Sequence, residues 1–268
     1  MIHTVTVTAG ENNYAVVAQR HALEIAKRFE ARLRVVGAWS PEGADFAESP
    51  EKLVDQKLKE LIEAAQRANI RTELSRRGEG ILDGLLAETR ESDLLVVGMP
   101  TEGPSRDEGS PQDDALVEAL IKEDLSLLRR AECSVMVVCR PPQPVNTVLV
   151  NYQGGLEGKR ALGMAGELAE LNSARVVVFS VEGDIARATE WTATATGYLN
   201  GFDLASVDTI EQKGVPDSEA RILETAESEG ADVIVIGHDP YGILDRLLSR
   251  DVAEQLALYT HLPLLIAR

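Results

Sequence analysis

The 268 residues carry 27 Lys+Arg against 44 Asp+Glu, a formal net charge of -17, and 44% of them are hydrophobic. The acidic excess is shared by residues 1–140 (18 basic, 25 acidic) and residues 141–268 (9 and 19), so the surface repels nucleic acid and anionic lipid. No apolar run reaches the roughly 20 residues of a membrane helix, and the start MIHTVTVTAGENN has neither the basic flank nor the apolar segment of a secretory leader, so a cytoplasmic protein is expected.

Strand and helix signals alternate along the chain. TVTVT is a first strand, and residues 14–30 place Val17, Ala22, Ile25 and Phe29 on one side of a helix. LRVVGAW is a second strand, followed by a helix over 50–68 with Leu53, Leu58, Leu61, Ile62 and Ala65 inward. Then come a strand at 71–75, a helix at 80–90, a strand at 93–98, a helix at 115–130 and a strand at 134–139. The stretch MPTEGPSRDEGSPQDD ahead of that last helix is a long, acidic, proline-bearing loop. PPQPV (141–145) has too few backbone donors for a central strand and is a stiff linker.

The pattern then repeats: TVLVNY, a helix at 157–172, RVVVFSV, a helix at about 184–200, a strand at 206–212, a helix at 217–229, DVIVIG, a helix at 251–260, and LPLLIA. AETRESDLLVVG (87–98) matches TAESEGADVIVIG (225–237), and CSVMVVCR matches LPLLIAR. The expected organisation is two copies, 1–140 and 146–268, joined by 141–145. Near-continuous Val/Ile/Leu runs point to parallel strands buried on both faces. The fold class is therefore α/β, as two tandem doubly wound parallel sheets with helices on both sides. Ligands of such sheets sit beyond the carboxyl ends of the strands, where the strand order reverses.

Cys133 and Cys139 flank one short strand and cannot pair with each other, and the four histidines have no metal spacing. They read as core thiols of a reduced compartment.

GADVIVIGHDPYGILDRLLSRDVAEQLALYTHLPLLIAR (230–268), GLEGKRALGMAGELAELNSARVVVFSV (155–181) and, more weakly, SDLLVVG with RRAECSVMVVCR carry a resemblance to the universal stress protein family in its tandem form. The resemblance implies an adenine-nucleotide α-hydrolase-like fold. ATP-binding members have a G-x2-G-x9-G-S/T loop after the fourth strand, whose glycines let backbone N–H groups approach phosphate at a helix start. An acid ending the first strand meets the sugar or metal-bound phosphates.

Both copies depart from this pattern. In the second, Gly237 fits the first glycine, Pro240 takes the second place, and Arg250-Asp251 replaces the glycine–hydroxyl pair; Gln153 stands where the acid is expected. In the first, Gly98 fits, Ile121-Lys122 falls on the glycine–hydroxyl pair, and Gly10, followed by Glu11, takes the acid's place. The candidate contact set for a nucleotide in the second copy is Gly237, Gly242, Arg250, Asp251, Gln153 and Val181.

Each of these has a plainer reading. Asp251 and Glu254 form a capping box. Arg246 and Arg250 either pair with phosphate or bridge to Asp245 and Glu254. Tyr152 and Tyr241 either stack on a base or cover the surface. His238-Asp239 hints at acid–base chemistry, but no nucleophile stands beside it. The Gly154-Gly155 pair is a ligand approach or a tight turn. WTATATGYLNGF (191–202) lines a pocket, or a partner surface.

No catalytic dyad or metal set is present, so no enzyme activity is expected. Two functions stay open. One is a stress-response regulator acting through an unknown protein partner, without the family's usual ATP binding and with no certain cofactor. The other is an ATP-binding protein using an altered loop in the second copy. The resemblance also implies that SVMVVC and LPLLIA pair as an intramolecular pseudo-dimer, with a homodimer of chains as a further assembly.

Overall fold

The computed structural model describes residues 2–10, 12–38, 50–77, 81–100, 125–214, 219–237 and 252–268. The chain divides into two compact units, Met1–Pro142 and Gln143–Arg268, and the division falls inside the proline-rich segment.

In the first unit, β1 (Thr4–Thr8), β2 (Arg32–Ala38), β3 (Thr72–Arg77), β4 (Leu94–Gly98) and β5 (Ser134–Val138) lie in the order β3-β2-β1-β4-β5. Every neighbouring pair is parallel. The connections hold α1 (Asn13–Arg28), α2 (Pro50–Arg67), α3 (Ile81–Glu88) with a 3-10 turn at Thr89–Glu91, and the helical residues 125–130 (α4).

The second unit repeats this. Strands β6 (Thr147–Asn151), β7 (Arg175–Glu182), β8 (Val207–Lys213), β9 (Val233–Gly237) and β10 (Leu264–Ala267) lie in the order β10-β9-β6-β7-β8. All their pairings are parallel. The helices are α5 (Gly155–Asn172), α6 (Ile185–Leu199), α7 (Glu219–Ser228) and α8 (Val252–Tyr259). Strand order advances one way through β6, β7 and β8 and then crosses to β9 and β10. Right-handed crossovers therefore place α5 and α6 on one face and α7 and α8 on the other, and within each pair the two helices touch.

The central strands are the valine-rich runs of the sequence. Val5, Leu95, Val148, Val150, Ile234 and Val235 are each 0% exposed. The outer strands β3 (TELSRR) and β8 (VDTIEQK) are instead polar and partly exposed, a composition that blunts pairing with other chains.

The same device opens both sheets. Asp93, just before β4, accepts the His3 and Thr4 backbone N–H groups at 2.8 and 2.9 Å. Asp232, just before β9, accepts those of Asn146 and Thr147 at 2.7 and 3.0 Å. A carboxylate satisfies donors that the start of the strand leaves without a ladder partner.

The first unit also buries an ionic cluster. Glu88 and Arg34 have side chains only 4% and 6% exposed and meet at 3.3 Å. Glu88 also accepts from Ser75 Oγ at 2.6 Å and Arg77 Nε at 2.7 Å, while Arg34 reaches Glu73 at 3.1 Å and Glu91 at 3.2 Å. The two buried charges, Arg34 and Glu88, are each multiply bonded, as burial of charge requires.

Candidate functional site

The strand order reverses between β1 and β4 in the first unit and between β6 and β9 in the second. The carboxyl ends of those strands are the candidate crevices.

In the second unit β6 continues through Tyr152, whose N–H donates to the Phe179 carbonyl at 2.9 Å. Tyr152 is 2% exposed, and its ring lies against the first turn of α5, where a Cβ on Gly158 would stand 2.9 Å from Tyr152 Cδ2. Burial raises its phenol above the usual range. Tyr152 is thus a core residue, not a platform for a base. Gly154 and Gly155 follow with φ of +77° and +73°, which only glycine adopts freely. Gly154 caps α5 and, having no side chain, offers no acceptor to the first N–H groups of that helix. The Trp191 indole covers this turn, with Nε1 3.0 Å from where a Gly154 Cβ would be, and the Arg187 guanidinium sits 5.2 Å above the Trp191 ring.

Of the six candidate contacts, the structure describes Gln153, Val181 and Gly237. Gln153 follows β6 at the point of reversal, and its amide nitrogen is buried without a hydrogen-bond partner among the described residues. Val181 is 1% exposed near the end of β7, inside the core. Gly237 ends β9 against the start of α5, where a Cβ would overlap the Glu157 carbonyl and stand 2.9 Å from the Gly158 nitrogen. Gly98 ends β4 in the same way, and a Cβ there would overlap the Tyr14 carbonyl. Gly242, Arg250 and Asp251 lie outside the described residues, as do His238, Asp239, Pro240, Tyr241, Asp245 and Arg246. The helix after them begins at Val252, with Glu254 buried in its first turn.

The corresponding turn in the first unit is closed by its own side chains. Asn12 Oδ1 accepts from the Ala15 N–H at 2.7 Å and caps α1. Gln19 Nε2 donates to the carbonyls of Thr8 and Gly10 at 3.1 and 3.0 Å. Gly10, in the position expected of an acid, contributes only backbone. Glu11, Ile121 and Lys122 lie outside the described residues.

The aromatic, small-residue segment 191–202 serves packing on two sides. Ala188, Thr192, Ala195 and Leu199 are buried, and α6 lies over β7 and β8, where Thr192 Oγ1 donates to Glu211 at 2.6 Å. Toward α5, a Cβ on Gly166 would meet the Phe202 ring at 2.7 Å, and one on Gly163 would come 3.3 Å from the Tyr198 hydroxyl. Trp191, Tyr198 and Phe202 thus ride over Gly154, Gly163 and Gly166. Sequence reasoning did not pair them; the spacing of about 35 residues between each glycine and its aromatic was the available signal. It also missed Ser180, whose hydroxyl is fully buried in β7 without a partner among the described residues.

The pattern of the universal stress protein family matches residues 144–268. No curated protein matches the chain. Among solved structures, a universal stress protein from Archaeoglobus fulgidus DSM 4304 is similar at 14% identity with a TM-score of 0.75, covering 99% of this chain and 98% of its own. A protein of unknown function from Pseudomonas aeruginosa PAO1 is similar at 18% identity with a TM-score of 0.69, covering 99% and 92%. The cytoplasmic domain of a prokaryotic cation chloride cotransporter is similar at 11% identity with a TM-score of 0.52, covering 100% and 95%. These likenesses establish the tandem fold. Among the described residues no helix is long and apolar enough to cross a membrane.

Proposed function

We propose, from the premise that this chain is a tandem member of the universal stress protein family, that it is a cytoplasmic stress-response regulator acting through contact with a protein partner rather than through the family's ATP loop. The observation that carries this reading is the packing of Gly237 and Gly98. These are the glycines that fit the nucleotide pattern in the two copies. Each is already required by the backbone of the helix lying against it, so neither is a signature of phosphate. The strand-end acid is replaced by Gln153 in one copy and Gly10 in the other, and the first-unit turn is bonded to itself through Asn12 and Gln19. An acidic chain without these features offers little to hold a triphosphate. In this reading neither unit is catalytic.

A second reading has its own support. Among the described residues Gln153 Nε2 is a buried donor without a partner at the point of strand reversal, beside a helix start whose cap residue, Gly154, supplies no side-chain acceptor. An adenine nucleotide in the second unit would satisfy both.

Native mass spectrometry of the protein as purified, followed by calorimetric titration with Mg-ATP, separates the readings. No adduct and no heat at millimolar ATP is the expected outcome. A bound adenine nucleotide would overturn it in favour of the second reading.

A further inference from the structure

His21 is a buried titratable group that the candidate crevices do not use. It lies on α1, is 6% exposed, and its Nε2 stands 2.9 Å from the carbonyl oxygen of Arg140. Arg140 is the last residue before Pro141-Pro142, where the first unit ends, and its own Nε is buried without a partner among the described residues. The neutral ring donates this bond through Nε2–H. The bond therefore ties the exit of the first unit to its first helix.

We propose that the His21–Arg140 bond is an acid-released staple: as the solution turns acidic, the segment Arg140–Pro142 lifts from α1 and the imidazole takes up a proton in water. The surroundings supply the reason. The bond to the Arg140 carbonyl and, on α1 itself, Glu24 both favour the charged ring, while the Arg140 guanidinium, on the segment the bond holds, opposes it. The strands packed against α1 add nothing: β1, β4 and β5 carry no titratable side chain, and the β2 arginines Arg32 and Arg34 are engaged by Glu73 and Glu88. Burial is the largest influence and holds the imidazole below the ordinary histidine value. A group whose closed-state pKa is lowered binds protons more tightly once open. Closure is therefore complete above about pH 6.5 and weakens as pH falls from there toward the closed-state value. In the second unit the equivalent place on α5, counted from Glu157 as the counterpart of Tyr14, is Met164, so the staple belongs to one unit only.

Cys139, half-buried and next to Arg140, reports the lifting, and buried Cys133 reports global unfolding. The full chain is treated with a disulfide reagent that reacts in acid, between about pH 7.5 and about pH 5.5, and labelling at each cysteine is followed by peptide mass. His21→Gln keeps a donor that does not titrate, and His21→Met removes it. The ratio of the Cys139 rate in wild type to that in His21→Gln cancels the common effect of thiolate fraction, and it should rise severalfold toward acid. His21→Met should react faster than His21→Gln by a factor independent of pH. A wild-type ratio flat with pH overturns the proposal. So does equal reactivity of the two variants, or Cys133 labelling in step with Cys139.

Discussion

Replacing Gly237 by alanine tests whether the strand-end glycine is there for a helix or for a phosphate. The added Cβ would overlap the Glu157 carbonyl and press on the Gly158 nitrogen. Both are backbone atoms of the first turn of α5, so no side chain can rotate aside; the helix must shift away from β9. Overpacking of a fitted interior costs about 1–3 kcal/mol, and contact with fixed backbone places Gly237→Ala at the upper end, about 3 kcal/mol. Gly98→Ala, facing the Tyr14 carbonyl, should cost the first unit as much. The assay is urea unfolding, in a Trp39→Phe background for Gly237→Ala, where Trp191 reports the second unit, and in a Trp191→Phe background for Gly98→Ala, where Trp39 reports the first. A Gly237→Ala protein within about 0.5 kcal/mol of the parent, the scatter of a neutral surface change, would refute the packing argument. If the same variant also lost binding to Mg-ATP that the parent showed, the glycine would have to be returned to the phosphate.

Other changes probe other parts of the structure. Glu88→Ala strands Arg34 in the interior; loss of a buried partner costs about 3–5 kcal/mol, and because Glu73 and Glu91 still reach Arg34 about 3 kcal/mol is expected for the first unit, measured by the shift in its urea midpoint. Asp232→Ala deprives the Asn146 and Thr147 N–H groups of their acceptor and should cost about 1.5–3 kcal/mol, with faster amide exchange at Thr147 as the local sign. Gly154→Ala forces a side chain into φ +77°, ψ -161°, a region essentially reserved for glycine, at about 1–3 kcal/mol. It also pushes on the indole, so a change in Trp191 emission should accompany the loss.

Much of the fold was legible because its signals are local. Valine-rich runs such as LLVVG and VIVIG are buried on both faces wherever they fall in a parallel sheet, so they mark the central strands directly. The polar outer strands TELSRR and VDTIEQK were found from their position in the repeat. The two aspartates that open the sheets also sat in plain sight, in SDLLVVG and ADVIVIG. Their role depends on donors 85 to 90 residues away, which no local pattern supplies. The candidate site was less legible for the same reason. A glycine has two physical meanings, freedom for the backbone and room for a neighbour, and sequence does not say which neighbour. Gly154 and Gly155 use the first, as their positive φ shows. Gly237, Gly158 and Gly166 use the second, each for a different occupant: a helix carbonyl, the ring of Tyr152 and the ring of Phe202. A motif whose glycines admit phosphate in one protein thus keeps its first glycine in this chain for a reason that would persist without any phosphate. Its survival in both copies is what packing alone demands, and only the departures around it bear on the ligand.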